Sequence, residues 1–541
     1  MSYEPTSKEA QGAIGVAAAS LAQVATPADG VESETSSTRT PDLQSIIGSI
    51  VPRANDIKRS RRVFVNRNLR LDRMEFIGFD MDYTLAIYNQ PRIETLSITC
   101  TLDKLVHQRG YPEEILNLDY DPSWAIRGLV IDRQNGNIFK MDRYGHAGRV
   151  YHGRHKLSKE EKRKLYQTQR IRLSSPRYAW IDTLFALPEA VMFARIVDYL
   201  DENPRAPTWP GRPRYARLWK DIRESIDEAH RDESMKRVIK ANLDEFLERD
   251  SDLAATLHKL RSAGKRLFLL TNSYWDYTDK VMAWLLDGQL PTYPSWRSYF
   301  DVIIVGGQKP SFFTERHPFV ELDEQGQEKR QLTGPFQRGR IYQGGNASDL
   351  ETFMGATGDR ILYIGDHIYG DMLRAKKSSV WRTAMIIQEL EGELTLAEAM
   401  SAQLRRIEEL EKRRNRAEAE LAYFQLVLHS LQRIENSPPE PGPAPAPGII
   451  EKAKQESLQR LDQLRTTLRE IGGEVESLER EVDRAFNPWW GALFKQGVEN
   501  SRFGEQVEDY ACVYTSRVSN LLAYSPLYYF RSPRDHMPHE L

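Results

Sequence analysis

The chain has 541 residues, 75 basic and 77 acidic, for a formal charge of −2, so it has no overall polycationic character with which to hold a nucleic-acid polymer. Its two cysteines, Cys100 and Cys512, are too few for a disulfide framework or a thiolate zinc site, which points to a reducing, cytoplasmic setting. The length allows several domains, and no apolar run reaches the ~20 residues that span a bilayer, so no membrane partner is expected.

Residues 1–55 are rich in Ser, Thr, Ala, Gly, Glu and Pro without apolar periodicity, and read as a disordered tail carrying no chemistry. The apolar stretch Phe76-Ile77-Gly78 then leads into Phe79-Asp80-Met81-Asp82-Tyr83-Thr84-Leu85. Two carboxylates two residues apart, just past a buried strand, have separable jobs: one can attack phosphorus while the other handles protons. A catalytic core over 56–110 and 240–395 is interrupted by 111–239, longer than a βα crossover requires and expected to form a cap and substrate-binding insertion. Within it, turn-rich pieces at 132–137 and 142–146 predict hairpins, 184–200 a helix and 204–213 a Pro-rich break, before another helix-like stretch, 215–249, that returns the chain to the core.

Three more apolar runs each precede a polar motif: 265–270 before Thr271-Asn272-Ser273, 300–305 before Lys309-Pro310, and 361–364 before Gly365-Asp366-His367-Ile368-Tyr369-Gly370-Asp371. Ligands of a parallel α/β sheet bind beyond the carboxyl ends of its strands, so four such motifs converge on one crevice. Beyond them, apolar and small residues from Ile407 to Leu431, and a heptad seam from Leu461 to Val482, predict an antiparallel coiled-coil hairpin over 396–485 with a Pro-rich tip. The aromatic-rich segment 486–541 needs burial against the core or another subunit, and a homo-oligomer is expected.

The four motifs supply the parts of a phosphoryl-transfer site. Asp80 is the candidate nucleophile, and Asp82 the acid that protonates the leaving oxygen and then the base that activates water. Thr271, with Asn272 and Ser273 beside it on the substrate side, would hydrogen-bond the phosphoryl group, and Lys309 would balance its charge. Oxygen ligands from the Asp80 and Asp366 side chains and the Asp82 carbonyl suit Mg²⁺, with Asp371 behind them. His367 lacks nearby His or Cys partners and reads as a structural donor, so zinc is not expected.

The order Asp pair, Thr, Lys, Asp pair resembles the haloacid dehalogenase superfamily, which implies a Rossmann-like α/β core with an inserted cap. The runs Phe64-Val65-Asn66-Arg67, Phe79 to Ala86, Ile364 to Asp371 and His536-Met537-Pro538-His539-Glu540 resemble more closely the cytosolic purine 5'-nucleotidase family. That resemblance implies Mg²⁺-dependent hydrolysis of IMP and GMP through an aspartyl phosphate. It further implies Arg223 and Asp227 as purine and ribose contacts, His230 as a base-stacking residue, Phe185 as the opposing aromatic, and Lys236 near phosphate. Arg223, Asp227 and His230 also fall at helical steps of four and three, on one helix face. Arg231 stands where well-known members carry an aromatic. The family's effector site maps to Arg172, Asp182, Tyr369, Lys377, Gln506, Asp509 and Tyr510. There Asp182 replaces an amide and Asp509 a basic residue, which would weaken attraction for a phosphate-bearing activator. Two rivals stand beside this reading: a phosphatase for another small phosphate ester, and a docking protein built on a phosphatase scaffold.

Overall fold

Short runs dense in Val, Ile, Leu and Phe favour strands buried on both faces, and ten strands form the central sheet. They are β1 (Phe64–Val65), β2 (Phe76–Phe79), β3 (Arg266–Leu270), β4 (Val302–Val305), β5 (Phe319–Leu322), β6 (Glu328–Gln331), β7 (Ile341–Gly344), β8 (Ile361–Gly365), β9 (Arg382–Ile386) and β10 (Val513–Thr515). The computed structural model describes residues 57–167, 171–203, 214–373, 380–436 and 448–533. The expected tail at 1–55, the break at 204–213, Lys377, the Pro-rich hairpin tip and the run His536 to Glu540 lie outside those residues.

The strand order is β1-β10-β9-β8-β2-β3-β4-β7-β5-β6, with the seven strands from β10 to β7 parallel. Register aligns the strand ends, because Phe79 of β2 lies opposite Leu269 of β3 and Ile364 of β8. Asp80, Thr271 and Asp366 therefore leave the sheet at one edge, which is where a parallel sheet binds ligands. Close approach of β2 to β3 depends on Gly78, where a Cβ would lie 2.1 Å from the Phe268 ring. At the far end the antiparallel β6 is wholly exposed and reads Glu-Lys-Arg-Gln, a charged edge that discourages further pairing.

The insertion contributes a five-stranded antiparallel sheet between residues 129 and 181, and both predicted hairpins are present in it. Helices α1 (Gln90–His107), α2 (Leu187–Glu202), α3 (Arg214–Arg231) and α4 (Ser234–Ala241) pack together beside it. The stretch expected to be one helix over 215–249 is instead broken. Glu233 has φ 65°, the Asp232 carboxylate accepts from the Ser234 N–H at 3.1 Å, and Lys104 of α1 also grips Asp232. A tertiary ion pair thus ends α3 where helical periodicity alone would continue. Residues Leu247–Glu248 then pair as a strand with Ile87–Tyr88, tying the chain just beyond the insertion to the stretch that follows Asp80 and Asp82.

Helices α5 (Ser401–Asn436) and α6 (Ile449–Phe486) pack side by side. Gln403 bonds Glu481, Arg406 bonds Glu474, and Arg460 bonds Glu420, so numbers rise on one helix as they fall on the other and the pair is antiparallel. Leu410, Ile471 and Val475 form a small apolar cluster separate from the main core. The aromatic segment folds back onto the body of the protein. Trp490 packs edge to face on Trp124 and Tyr151 at 5.1 and 4.7 Å, and β10 inserts between β1 and β9. Among the described residues no helix is long and apolar enough to cross a membrane.

Candidate active site

Beyond β2 the chain wraps tightly around one carbonyl, with the N–H groups of Thr84, Leu85 and Ala86 all directed at Met81 O. Tyr83 adopts φ 55°, a left-handed conformation that a bulky residue holds only when its surroundings enforce it. This turn fixes Asp80 and Asp82 in different places. Asp80 is buried, its backbone N–H donates to Ile364 O of β8, and its Oδ1 accepts from the Met81 N–H at 2.8 Å. The Lys309 ammonium lies 2.9 Å from the same oxygen and 2.8 Å from Asp371 Oδ1, with the Tyr363 hydroxyl at 2.9 Å. Burial opposes the charge on Lys309, but Asp371 and Asp80 outweigh it and hold the ammonium above its ordinary range. The loop bearing Lys309 is clamped by Asn272, whose side chain accepts from Lys309 N and donates to Lys309 O.

Asp80, Asp366 and Asp371 offer carboxylate oxygens that all lie within 4.8 Å of one another, and all three residues are buried. Burial pushes the Asp80 carboxyl well above its usual range against the pull of Lys309, and pushes Asp366 up to about 7 with Asp371 adding to it. Burial raises Asp366 even against Arg127, His367 and Lys309, so the pocket favours a further cation. Asp366 Oδ2 is buried without a hydrogen-bond partner, whereas both oxygens of Asp371 are engaged, one by Lys309 and the other by the His367 N–H at 3.2 Å. Hard oxygen donors with one orphaned oxygen fit Mg²⁺ and place Asp371 in a supporting position. Gly365 is required there, since a Cβ would lie 2.4 Å from Asp371 Oδ2.

Asp82 is held differently. Tyr88 donates its hydroxyl to Oδ1 at 2.6 Å and Ser273 donates to Oδ2 at 2.8 Å, so Ser273, assigned to substrate from sequence, serves Asp82 here. Thr271 is fully buried, and its hydroxyl accepts from the Ser273 N–H at 3.1 Å.

A cavity of about 810 Å³ joins this chemistry to the insertion. Asp80, Asp82, Asn272, Ser273, Lys309, Asp366 and Asp371 line it together with Phe185, Arg223, Asp227, His230, Arg231 and Lys236. Arg223 pairs with buried Glu189 and reaches Asp227 at 3.4 Å. Burial, reinforced by Lys236, lowers His230 to about 4, so its imidazole is neutral near pH 7. Phe185 and His230 touch edge to face, at 5.9 Å and 90°. A base stacked between two rings needs them parallel and about 7 Å apart, so stacking here requires one ring to turn.

Of the effector positions, Lys377 lies outside the described residues, and the segment Ile368–Leu373, with Tyr369, packs against the helix that carries Gln506, Asp509 and Tyr510. Arg172 lines a smaller cavity of about 370 Å³ with Arg143, Tyr144 and Arg502, whereas the Asp182 carboxylate pairs with His367 Nε2 at 3.0 Å. Asp182 leads among the groups that raise His367 to about 9 against burial, so the acidic replacement has a cationic partner within the chain. Gln506 is buried in α7 (Arg502–Tyr510), Asp509 and Tyr510 follow in the same helix, and Tyr369 is 41% exposed.

Sequence reasoning missed four residues that line or brace this site: Tyr88, Glu189, Tyr277 and Arg127. Tyr88 lies six residues beyond Asp82 in the same motif, and Glu189 lies four beyond Phe185 at the start of α2, so spacing could have found both. Tyr277 and Arg127 carried no local signal, and Arg127 reaches the site from the insertion, donating to the Asp366 carbonyl at 3.1 Å and to Glu389 at 2.7 Å.

Residues 63–541 match the 5' nucleotidase family. The chain belongs to that family. A 5'-nucleotidase domain-containing protein of Dictyostelium discoideum is 30% identical over 486 residues, 88% of this chain and 74% of its own length. Human 5'-nucleotidase domain-containing protein 2 is 33% identical over 370 residues, 66% of this chain and 69% of its own. Among solved structures, CbbY from Rhodobacter sphaeroides in complex with phosphate is 14% identical across 58% of this chain and 86% of its own, with a TM-score of 0.22. Membership of the 5'-nucleotidase family supports a phosphomonoester hydrolase acting on nucleotides.

Proposed function

We propose that the protein is a Mg²⁺-dependent, cytoplasmic 5'-nucleotidase that hydrolyses purine ribonucleoside monophosphates, IMP and GMP foremost, and works as a homo-oligomer. The observation that carries the reading is the single cavity lined both by Asp80, Lys309 and Asp366 and by Phe185, Arg223, Asp227 and His230. Asp80 attacks phosphorus, the ester P–O bond breaks, and the leaving oxygen takes the proton of the Asp82 carboxyl. Asp82, now a carboxylate, takes a proton from water, whose oxygen attacks phosphorus and breaks the acyl-phosphate bond, releasing phosphate and restoring Asp80. Lys309 holds Asp80 in position and offsets phosphoryl charge, with the Thr271 segment donating hydrogen bonds to phosphoryl oxygen. Mg²⁺, held by Asp80, Asp366 and the Asp82 carbonyl, would supply the remaining positive charge for the phosphoryl oxygens.

At the base end, neutral His230 and Phe185 offer apolar faces to a purine, and Arg223 and Asp227 offer a donor and an acceptor for its edge and ribose. A nucleoside in the leaving-group pocket could accept the phosphoryl group in place of water, which would make the enzyme a phosphotransferase as well. Activation by purine nucleotides is weak in this reading, because Asp509 is acidic and Asp182, in place of an amide, is committed to His367. Arg231, a guanidinium on the cavity wall, favours one rival, a small phosphate ester other than a nucleotide.

The test is Mg²⁺-dependent phosphate release from IMP, GMP, AMP, UMP and sugar phosphates by the intact protein and by Asp80→Asn. Purine-selective release that falls by at least about 10³-fold in the variant is expected, because the substitution removes the nucleophile. Equal or faster release from sugar phosphates would sink the nucleotidase reading.

A further inference from the structure

Tyr88 and Tyr277 are buried, both line the cavity, and neither has a part in the steps just described. Tyr88 lies on the short strand Ile87–Tyr88, and its ring is packed against Tyr83 at 5.0 Å and Phe185 at 6.0 Å, which restricts rotation. Its hydroxyl lies 2.6 Å from Asp82 Oδ1 and 2.8 Å from the Tyr277 hydroxyl. Since the Tyr88 proton is given to Asp82, Tyr277 must donate to Tyr88. The other carboxylate oxygen is taken by Ser273 at 2.8 Å. A phenol is a hydroxyl at neutral pH and can both donate and accept.

We infer that Tyr88, backed by Tyr277, is a positioning residue that holds the Asp82 carboxyl in one place through both halves of the reaction. The physical reason is the choice of partner. A hydroxyl can donate to a carboxylate and accept from a carboxylic acid, so it can serve Asp82 before and after the proton has moved. A cation would favour the ionised form alone, and that is the partner Asp80 has in Lys309. Among the described residues Asp82 makes no ion pair, and its partners are all hydroxyls. The two carboxylates are thus provided for separately: a fixed charge for the nucleophile and a hydroxyl cradle for the group that must both give and take a proton.

This inference rests on the proposed phosphoryl-transfer roles of Asp80 and Asp82, and its test separates the two. Tyr88→Phe and Tyr277→Phe are made alone and on an Asp82→Asn background. Steady-state kcat and KM are measured on the best nucleotide, together with single-turnover release of p-nitrophenolate from p-nitrophenyl phosphate. The aryl oxide leaves with little need of a proton, so the second readout reports attack by Asp80 without the acid step. Tyr88→Phe is expected to lower nucleotide kcat about 10- to 100-fold with KM within about 2-fold, and to slow p-nitrophenolate release less than about 3-fold. Tyr277→Phe should show the same split at about 3- to 10-fold, and neither should add to Asp82→Asn. Equal losses on both substrates, a change confined to KM, or full additivity with Asp82→Asn would overturn the inference and leave Tyr88 as packing. If Asp80-dependent p-nitrophenolate release were seen without turnover of any nucleotide, the substrate reading would fail by itself. The Tyr88 comparison would then be judged by the same split with glycerol phosphate as the poor leaving group.

Discussion

Asp80 and Asp82 are separated by one residue and by a large difference in surroundings. Asp80 is enclosed with Lys309 and two further carboxylates, whereas Asp82 meets hydroxyls, and the turn through Tyr83 keeps the two apart. His230 shows a third environment, a half-buried imidazole held down to about 4 by its apolar surroundings and by Lys236. Its folded pKa lies below the unfolded value near 6.5, so the unfolded chain binds the extra proton between those limits. The stability this confers is fully present above about pH 6.5 and is lost as pH falls towards 4. Between pH 7 and pH 5 the wild-type protein should therefore lose about 2 kcal/mol more than His230→Gln. Urea titrations at the two pH values measure the difference, and parallel losses in the two proteins would show that His230 is not the group responsible.

At the scale of elements, the site depends on how closely two parallel strands approach. Gly78 of β2 faces Phe268 of β3, and nothing larger than hydrogen fits between them. Gly78→Ala should cost about 1–3 kcal/mol by overpacking, read from the shift in urea midpoint. Because β2 delivers Asp80 to the sheet edge, the same variant should lose turnover even where it remains folded. Unchanged stability would mean that Phe268 can move aside. The break between α3 and α4 works at this scale too. By ending α3 at Arg231, the Lys104–Asp232 pair lets α4 bring Lys236 to the cavity wall, with its ammonium 5.7 Å from the Tyr277 ring.

Across the whole molecule, the catalytic body and the helical hairpin are built on separate apolar clusters. The seam of Leu410, Ile471 and Val475 does not merge with the main core, and Arg149–Asp483 is among the contacts at the hairpin base. Replacing residues 415–467 with a short Gly/Ser turn should leave kcat within about 2-fold and the melting temperature within a few degrees, since such helices gain stability chiefly from each other. Phosphate release and calorimetry on the shortened protein test this. A collapse of either would make the hairpin part of the catalytic fold.

The amino-acid sequence by itself determined what depends on near neighbours in the chain. Four apolar runs, each followed by its polar motif, gave the parallel sheet and the residues at its carboxyl edge. The heptad seam predicted the paired helices, and turn residues such as those at 132–137 predicted hairpins of the insertion. Each of these is a local pattern, fixed by strand or helix periodicity and by turn chemistry. What only the tertiary structure decided involves residues far apart in sequence. Tyr277 reaches Tyr88 across 189 positions and Arg127 reaches Asp366 across 239, and no local pattern encodes either contact. The break at Glu233 depends on Lys104 in another helix, which is why helical periodicity ran through it. Sequence could single out the two aspartates. Separating their environments, with an ammonium for one and hydroxyls for the other, required the fold, because electrostatics and hydrogen bonding act through space and Lys309, Tyr88 and Ser273 come from three different segments.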